Sequence, residues 1–480
     1  MALLVHAGYT VLVAADDGSI GGEGREGLYD VDSRLLAQFA YAIGDEPLRV
    51  VASDLVGPHR WRARLIAPSP GRSPGIEGPG LPQDVLELSI DRAVGKGLVD
   101  QVTVTNQSAT DVRATLRILA EPDFADVQEV GRERRQSGVI IREAAGGAVT
   151  WAYRAARADR EIERAVRIAI SDPSSPATWR DLEVTVDLTP HGTYSFRVGV
   201  ESLVEGRWRT PDPTAHERWL ARWSATRTRI ESTGSDACAA ADRAAEDLAA
   251  LRNDELFGGD DDAWFPNAGV PMFTGFFGRD AITAGWQAAM LDPAMMRGAI
   301  EVAARTQAAA DDPFRDAEPG KMVHEIRRGP LSMLDVIPQA AYYGTQTTGA
   351  LFVLALSEWW HWTADRSLLR RHLPAALGVF EWADRYGDLD GDGFLEYRRR
   401  SPGGLKNQAW KDSDEAIRYP DGRSVDNPIA TVEEQAFFCL ALERMAEILV
   451  ALDDPRADRF LSRASGLRTR WHEAFWLEDE

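Results

Sequence analysis

Apolar residues recur at two different periods along the chain, and the switch falls near Gly206. Before it, GYTVLVAA, LLAQFAYAI, LRVVAS, RWRARLIA, VLELSIDRAV, LVDQVTVTNQS, VRATLRILA, VTWAYRAA, AVRIAIS, LEVTVDLT and YSFRVGVE alternate apolar with polar positions. Such alternation places one face of an extended strand in a core and the other in solvent. Gly, Asp, Asn, Pro and Ser separate most of these runs, as turns require. Many short strands without intervening helices predict an antiparallel β-sandwich, which we place at 1–205.

After Gly206 the period lengthens. PDPTAHERWLARWSATRTRI predicts a linker helix within 206–234, with Pro213 at its start. From Ser235 onward helical patterns dominate. They are DACAAADRAAEDLAALRN, DAITAGWQAAML, PAMMRGAIEVAARTQAAA, TQTTGALFVLALSEWWHWTAD, RSLLRRHLPAALGVFEWADRYG, PIATVEEQAFFCLALERMAEILVALDD and PRADRFLSRASGLRTRWHEAFW. Long loops carrying Gly, Trp, Asp and Arg lie between them, and long loops in a compact domain usually serve a function. Helices alternating with such loops predict the first part of a two-layer helical toroid over 235–480, with the site at one mouth. A closed toroid needs more helices than this segment supplies.

The bulk properties narrow the class. At 480 residues, about two or three folding units are expected. A formal charge of −21 disfavours nucleic acid, whose phosphates attract a basic surface, and is compatible with a neutral sugar. Fifteen tryptophans is an unusual count; flat aromatic rings with a polar handle suit sugar sites, and core packing is the alternative for much of the excess. Only Cys238 and Cys439 are present, which fits a reducing compartment and excludes a cysteine-based zinc site. The start lacks the basic region and cleavage site of a signal peptide, and no apolar run is long enough to span a bilayer. The expectation is a cytoplasmic protein without membrane association.

Three loops could carry chemistry. In AWFPNAGVPMFTGFFGRDAI, the aromatic Trp264, Phe265, Phe276 and Phe277 surround Arg279 and Asp280. Asp280 is either an N-cap of the next helix or half of a pair binding sugar hydroxyls, one side chain accepting and the other donating. EPGKMVHEIRRGP offers His324, Glu325 and Arg327, which make either a solvated charged turn or part of a pocket. It lacks the second His of a zinc-protease helix. GLKNQAWKDSDEA brings Trp410, Lys411, Asp412 and Asp414 together. A general acid must hold its proton near neutral pH, and an apolar wall or a second carboxylate favours that. Trp410 and Asp414 are candidates for both effects, and an Asx-type turn is the plainer alternative. DLDGDGFLEY, with Asp388, Asp390 and Asp392, opens like a calcium-binding loop, and Glu396 could add an oxygen. Arg399 stands where the bidentate Glu belongs, so a turn is expected there and no metal is assigned.

In order along the chain, EGLYDVDSRLLAQFAYAI, TGFFGRDAI, GKMVHEIR and GLKNQAWKDS resemble segments of bacterial and archaeal glycogen-debranching proteins of the amylo-α-1,6-glucosidase type. The resemblance implies an (α/α)6 catalytic barrel like that of glucoamylases and trehalases, which typically invert the anomeric centre. It implies Asp412 as general acid, Arg279 and Asp280 as ligands of the terminal sugar, and His324, Glu325 and Arg327 as pocket-lining residues. Trp264, Phe277, Trp410, Lys411 and Asp414 complete the expected substrate-binding set, with no cofactor. Ala409 replaces the Gly usual before this Trp.

The general base of that family is a Glu beyond the segment present here, so the chain by itself is expected to turn over little substrate. An inverting mechanism needs a second carboxyl to activate water. A carbohydrate-binding remnant, and a hydrolase of small glycosides such as trehalose or glucosylglycerate, remain alternatives to action on glycogen-like glucans. An unclosed toroid is also expected to expose apolar helix faces and to associate.

Overall fold

The structure is a computed structural model that describes residues 2–22, 24–43, 48–67, 84–145, 147–171, 179–212, 214–256 and 263–478. The chain forms two compact units. The first comprises Met1–Thr226 with Gly269–Thr274 and Arg328–Val336, and the second comprises Arg227–Ala268, Gly275–Arg327 and Ile337–Glu480. Two short stretches from the helical part of the sequence thus belong to the first unit.

Antiparallel sheets make up the first unit. Its largest sheet runs, neighbour to neighbour, through Val139–Ala145, Ala148–Arg157, Arg160–Ser171, Thr193–Val204, Leu98–Asn106, Leu86–Val94, Arg60–Ala67 and Arg49–Gly57. A second sheet carries Leu3–Ala7, Thr10–Ala14, Gly27–Asp30, Ser33–Leu36 and Ala125–Asp126, and a third carries Glu183–Leu188, Val112–Glu121 and Gln38–Ile43. Alternation does the work here. Along RWRARLIA, every second side chain from Trp61 to Ala67 is buried while those between are exposed or half-buried. Leu12, Leu28, Phe39, Trp61, Val102 and Phe196 meet in one core between the layers, which is a sandwich.

LLAQFAYAI reads as one strand but is two. Ser33–Leu36 pairs in one sheet and Gln38–Ile43 in another, with the chain changing sheets at Ala37. Val139–Ala145 has no alternating signal because all of its residues are exposed at the edge of the largest sheet.

In chain order the α-helices are α1 (Ala215–Thr226), α2 (Ser235–Ala250), α3 (Gly278–Gln287), α4 (Ala294–Arg305), α5 (Pro330–Met333), α6 (Thr347–Thr363), α7 (Arg366–Trp382), α8 (Val432–Ala451) and α9 (Ala457–Phe475). The expected linker helix is α1; Pro213 lies outside the described residues. Rather than standing as a solvated spacer, α1 belongs to the first unit and buries Trp219 and Trp223, stacked with ring centres 5.5 Å apart.

The second unit is built around α6 and α8. Helix α6 is buried from Thr347 to Ser357 on every face, as expected of a helix at the centre of a bundle. Phe352, Leu356, Leu442, Met445 and Leu449 join Met296, Ile300 and Phe380 in its core. Gly298 lets α4 approach the neighbouring backbone, since a Cβ there would lie 1.9 Å from the carbonyl oxygen of Trp264. No helix among the described residues is long and apolar enough to cross a membrane. On α8 and α9, Val432, Val450 and Leu461 are exposed, as are Trp476 and Leu477 beyond them.

Candidate functional site

The parts of the three loops that belong to the second unit, within 275–282, 318–327 and 404–416, come together there. Phe276–Phe277 pairs with Glu325–Ile326, and Tyr342 forms a further bridge to Glu325. This small ribbon delivers the chain directly into α3. Gly278 is required at the junction, because a Cβ would meet the Val323 carbonyl oxygen at 2.4 Å. Phe277 is the N-cap, so Asp280 is not; it stands in the first turn of α3. A carboxylate there is favoured by the amide dipoles, and its side chain is half-buried beside Arg279.

Arg279 is the hub. Its Nη1 donates to Asp412 Oδ2 at 2.9 Å and to the Trp410 carbonyl at 2.7 Å, while Nη2 lies 3.6 Å from Asp280 Oδ2. Its guanidinium also sits 5.5 Å from the centre of the Trp410 ring. One cation therefore ties together residues 131 and 133 positions away in the chain. The Trp410 indole rests against Phe437, ring centres 5.5 Å apart, and is 39% exposed. That exposure leaves a flat apolar surface open beside two charged groups. Trp410, Arg279, Asp280, Thr283, Gln287 and Asn267 border a cavity of about 420 Å³, within the usual range for a small-molecule site.

His324, Glu325 and Arg327 form the layer behind. His324 is buried edge-on between Phe277 and Tyr342. Burial lowers its imidazole below the ordinary range, opposed by the nearby Glu325 and Asp412 carboxylates. Arg327 donates to Glu325 at 2.9 Å and lies 4.9 Å from the centre of the Phe277 ring. Trp264, expected as a platform, is instead 1% exposed and packs in the interior. Lys411 and Asp414 are exposed. The group bonded to Asp412 is the Arg279 cation rather than the second carboxylate expected at Asp414.

Sequence reading missed Glu434. It lies in the first turn of α8, is 2% exposed, and its Oε1 accepts from Trp410 N at 2.8 Å and from the Thr347 hydroxyl. Burial raises its carboxyl to about 7, opposed by the bonds from Thr347 and Trp410 and, more weakly, by Arg279, with Glu433 adding to the rise. The only signal was an adjacent Glu pair at a helix start, which ordinarily signifies dipole compensation.

Asp388, Asp390, Asp392 and Glu396 each bring an oxygen within 4.8 Å of the others, the one such acidic group among the described residues able to hold a cation. Their carboxylates already accept from amides of the same turn, including Gly391, Gly393 and Phe394.

Residues 5–199 match the family model described as the N-terminal domain of (some) glycogen debranching enzymes. No curated protein matches the sequence. Among solved structures, a human-microbiome protein assigned as a kojibiose phosphorylase is 9% identical, with a TM-score of 0.53 over 98% of this chain and 66% of its own. A bacterial glucoamylase solved with acarbose is 7% identical, with a TM-score of 0.43 over 96% of this chain and 65% of its own. The chain thus spans just under two thirds of the length of either. By its family match the sandwich is similar to the N-terminal domains of glycogen-debranching enzymes, and the chain shares its fold with the kojibiose phosphorylase.

Proposed function

We propose that the second unit binds a glucoside in the cavity beside Trp410, and that Asp412 is the general acid of a glycoside-cleaving reaction. The observation that carries this is the Arg279 hub. Arg279 and the exposed Trp410 indole border a cavity of about 420 Å³, and the same Arg279 holds the Asp412 carboxylate at 2.9 Å; a bonded cation favours the ionised carboxylate, so the acid role itself rests on the resemblance carried by GLKNQAWKDS. A sugar laid on Trp410 places its apolar face on the ring and its hydroxyls toward Arg279 and Asp280, which donate and accept respectively. Asp412 engages Arg279 through Oδ2, and its Oδ1 serves the glycosidic oxygen, which must gain a proton as its bond to the anomeric carbon breaks. His324, Glu325 and Arg327 support Phe277 and the start of α3 from behind.

The substrate class in this reading is an α-glucoside, with glycogen branches and short glucosides as candidates. The bond is cleaved by water, given a second carboxyl as base, or by phosphate, for which the acid alone suffices. The kojibiose phosphorylase likeness is the reason to include phosphate.

Calorimetric titration with isomaltose, kojibiose, trehalose and maltotriose tests the reading, alongside product analysis with and without inorganic phosphate. Binding of one of these sugars, weakened at least about tenfold by Arg279→Ala with the circular dichroism unchanged, is the expected result. A folded chain that binds none of them overturns it. Binding without turnover in either medium would leave the carbohydrate-binding alternative.

A further inference from the structure

The segment carrying Trp410 and Asp412 has little regular structure of its own between the π-helical turn Ala383–Gly387 and α8, so something else must hold it. We infer that Asp316 is a positioning residue: a buried carboxylate that clamps residues 400–408 and thereby sets Trp410 and Asp412 against Arg279. The positioning role rests on the sugar-binding reading of that pair; the clamp itself does not.

Asp316 is 0% exposed and ends the short turn Pro313–Arg315 in a left-handed conformation, φ 51°. Both oxygens are used twice. Oδ1 accepts from the amides of Arg400 at 2.6 Å and Ser401 at 2.9 Å. Oδ2 accepts from the Tyr342 hydroxyl at 2.8 Å and Gln408 Nε2 at 3.1 Å. The Tyr342 hydroxyl in turn accepts from Leu405 N at 2.7 Å. Four points of one loop are therefore fixed to a single carboxylate, directly or through one phenol.

The neighbours suit a buried anion. Lys321 Nζ lies 3.3 Å from the Asp316 carbonyl and 3.4 Å from Gln408 Oε1. Gln408 also accepts at its own carbonyl from Gln346 N at 2.8 Å, one residue before α6. Two residues further on, Trp410 N is taken by Glu434. Tyr342 connects the clamp to the back of the site, because its ring meets His324 edge-on. An amide in place of the carboxylate offers one acceptor oxygen and turns an NH2 toward two of the four donors, so the bonds cannot all be kept.

The test is hydrogen exchange of the full chain with Asp316→Asn, read by mass spectrometry. Peptides covering 400–408 should exchange at least about tenfold faster than in the native chain, while α8 keeps its protection. In parallel, chain labelled with 5-fluorotryptophan should show the Trp410 resonance, assigned by its loss in Trp410→Phe, shifted or broadened while resonances of the first unit stay. Should Asp316→Asn fail to fold, Tyr342→Phe removes one donor to Asp316 and the acceptor for Leu405, and the same two readouts decide. Unchanged exchange of 400–408, or an unchanged Trp410 resonance, overturns the inference. Failure of the native chain to bind a glucoside overturns the sugar-binding reading and leaves the clamp standing on exchange alone.

Discussion

Replacing Glu434 with Gln separates the electrostatic cost of that buried carboxyl from its hydrogen bonds. The amide keeps an oxygen for Trp410 N and the Thr347 hydroxyl, the two partners of Oε1. What it removes is the ability to ionise. Burial holds the native carboxyl at about 7 against an ordinary 4.5. Between those values the unfolded chain has lost the proton and the native chain still binds it. Stability therefore falls as pH rises through the window, and the carboxyl's penalty is fully present only above the native value. One proton weighed this way costs about 2 kcal/mol between about pH 5.5 and about pH 7.5. Urea unfolding of the native chain and Glu434→Gln across that range should show the variant's relative stability rising with pH by about this amount. A difference that stays flat with pH would refute the argument that burial governs Glu434. A difference that falls with pH would mean that the bonds from Thr347 and Trp410, together with Arg279, outweigh burial.

His6, in the first unit, should respond in the opposite sense. Burial, and secondly His59, lower it from 6.5 to about 4, so the native chain resists a proton that the unfolded chain accepts. Acidification from about pH 7 to about pH 5 should cost about 2 kcal/mol that His6→Leu does not lose, and equal pH slopes in urea melts would exclude this. Gly298→Ala should destabilise the second unit by about 3 kcal/mol or more, because the added carbon meets the Trp264 backbone at 1.9 Å. An unchanged denaturation midpoint would show that α4 shifts freely.

The division into a strand-rich front and a helical remainder was legible because each rests on local periodicity. RWRARLIA alternates because one face of that strand is buried, and PAMMRGAIEVAARTQAAA repeats at helical spacing because α4 buries one side. Arg279, Asp280, Trp410 and Asp412 were singled out by residue type, and the structure brings them to one point. Their neighbourhood was not legible. Trp264 reads like any loop aromatic until packing buries it against α4. Asp316 and Glu434 read as ordinary polar residues of a turn and a helix start. Their burial and their partners, up to 92 positions away, exist only once the chain is folded. Periodicity records which face of an element is dry. Which loops share a carboxylate, and which carboxyl loses its water, are set by contacts between distant segments, and tertiary structure alone decides them.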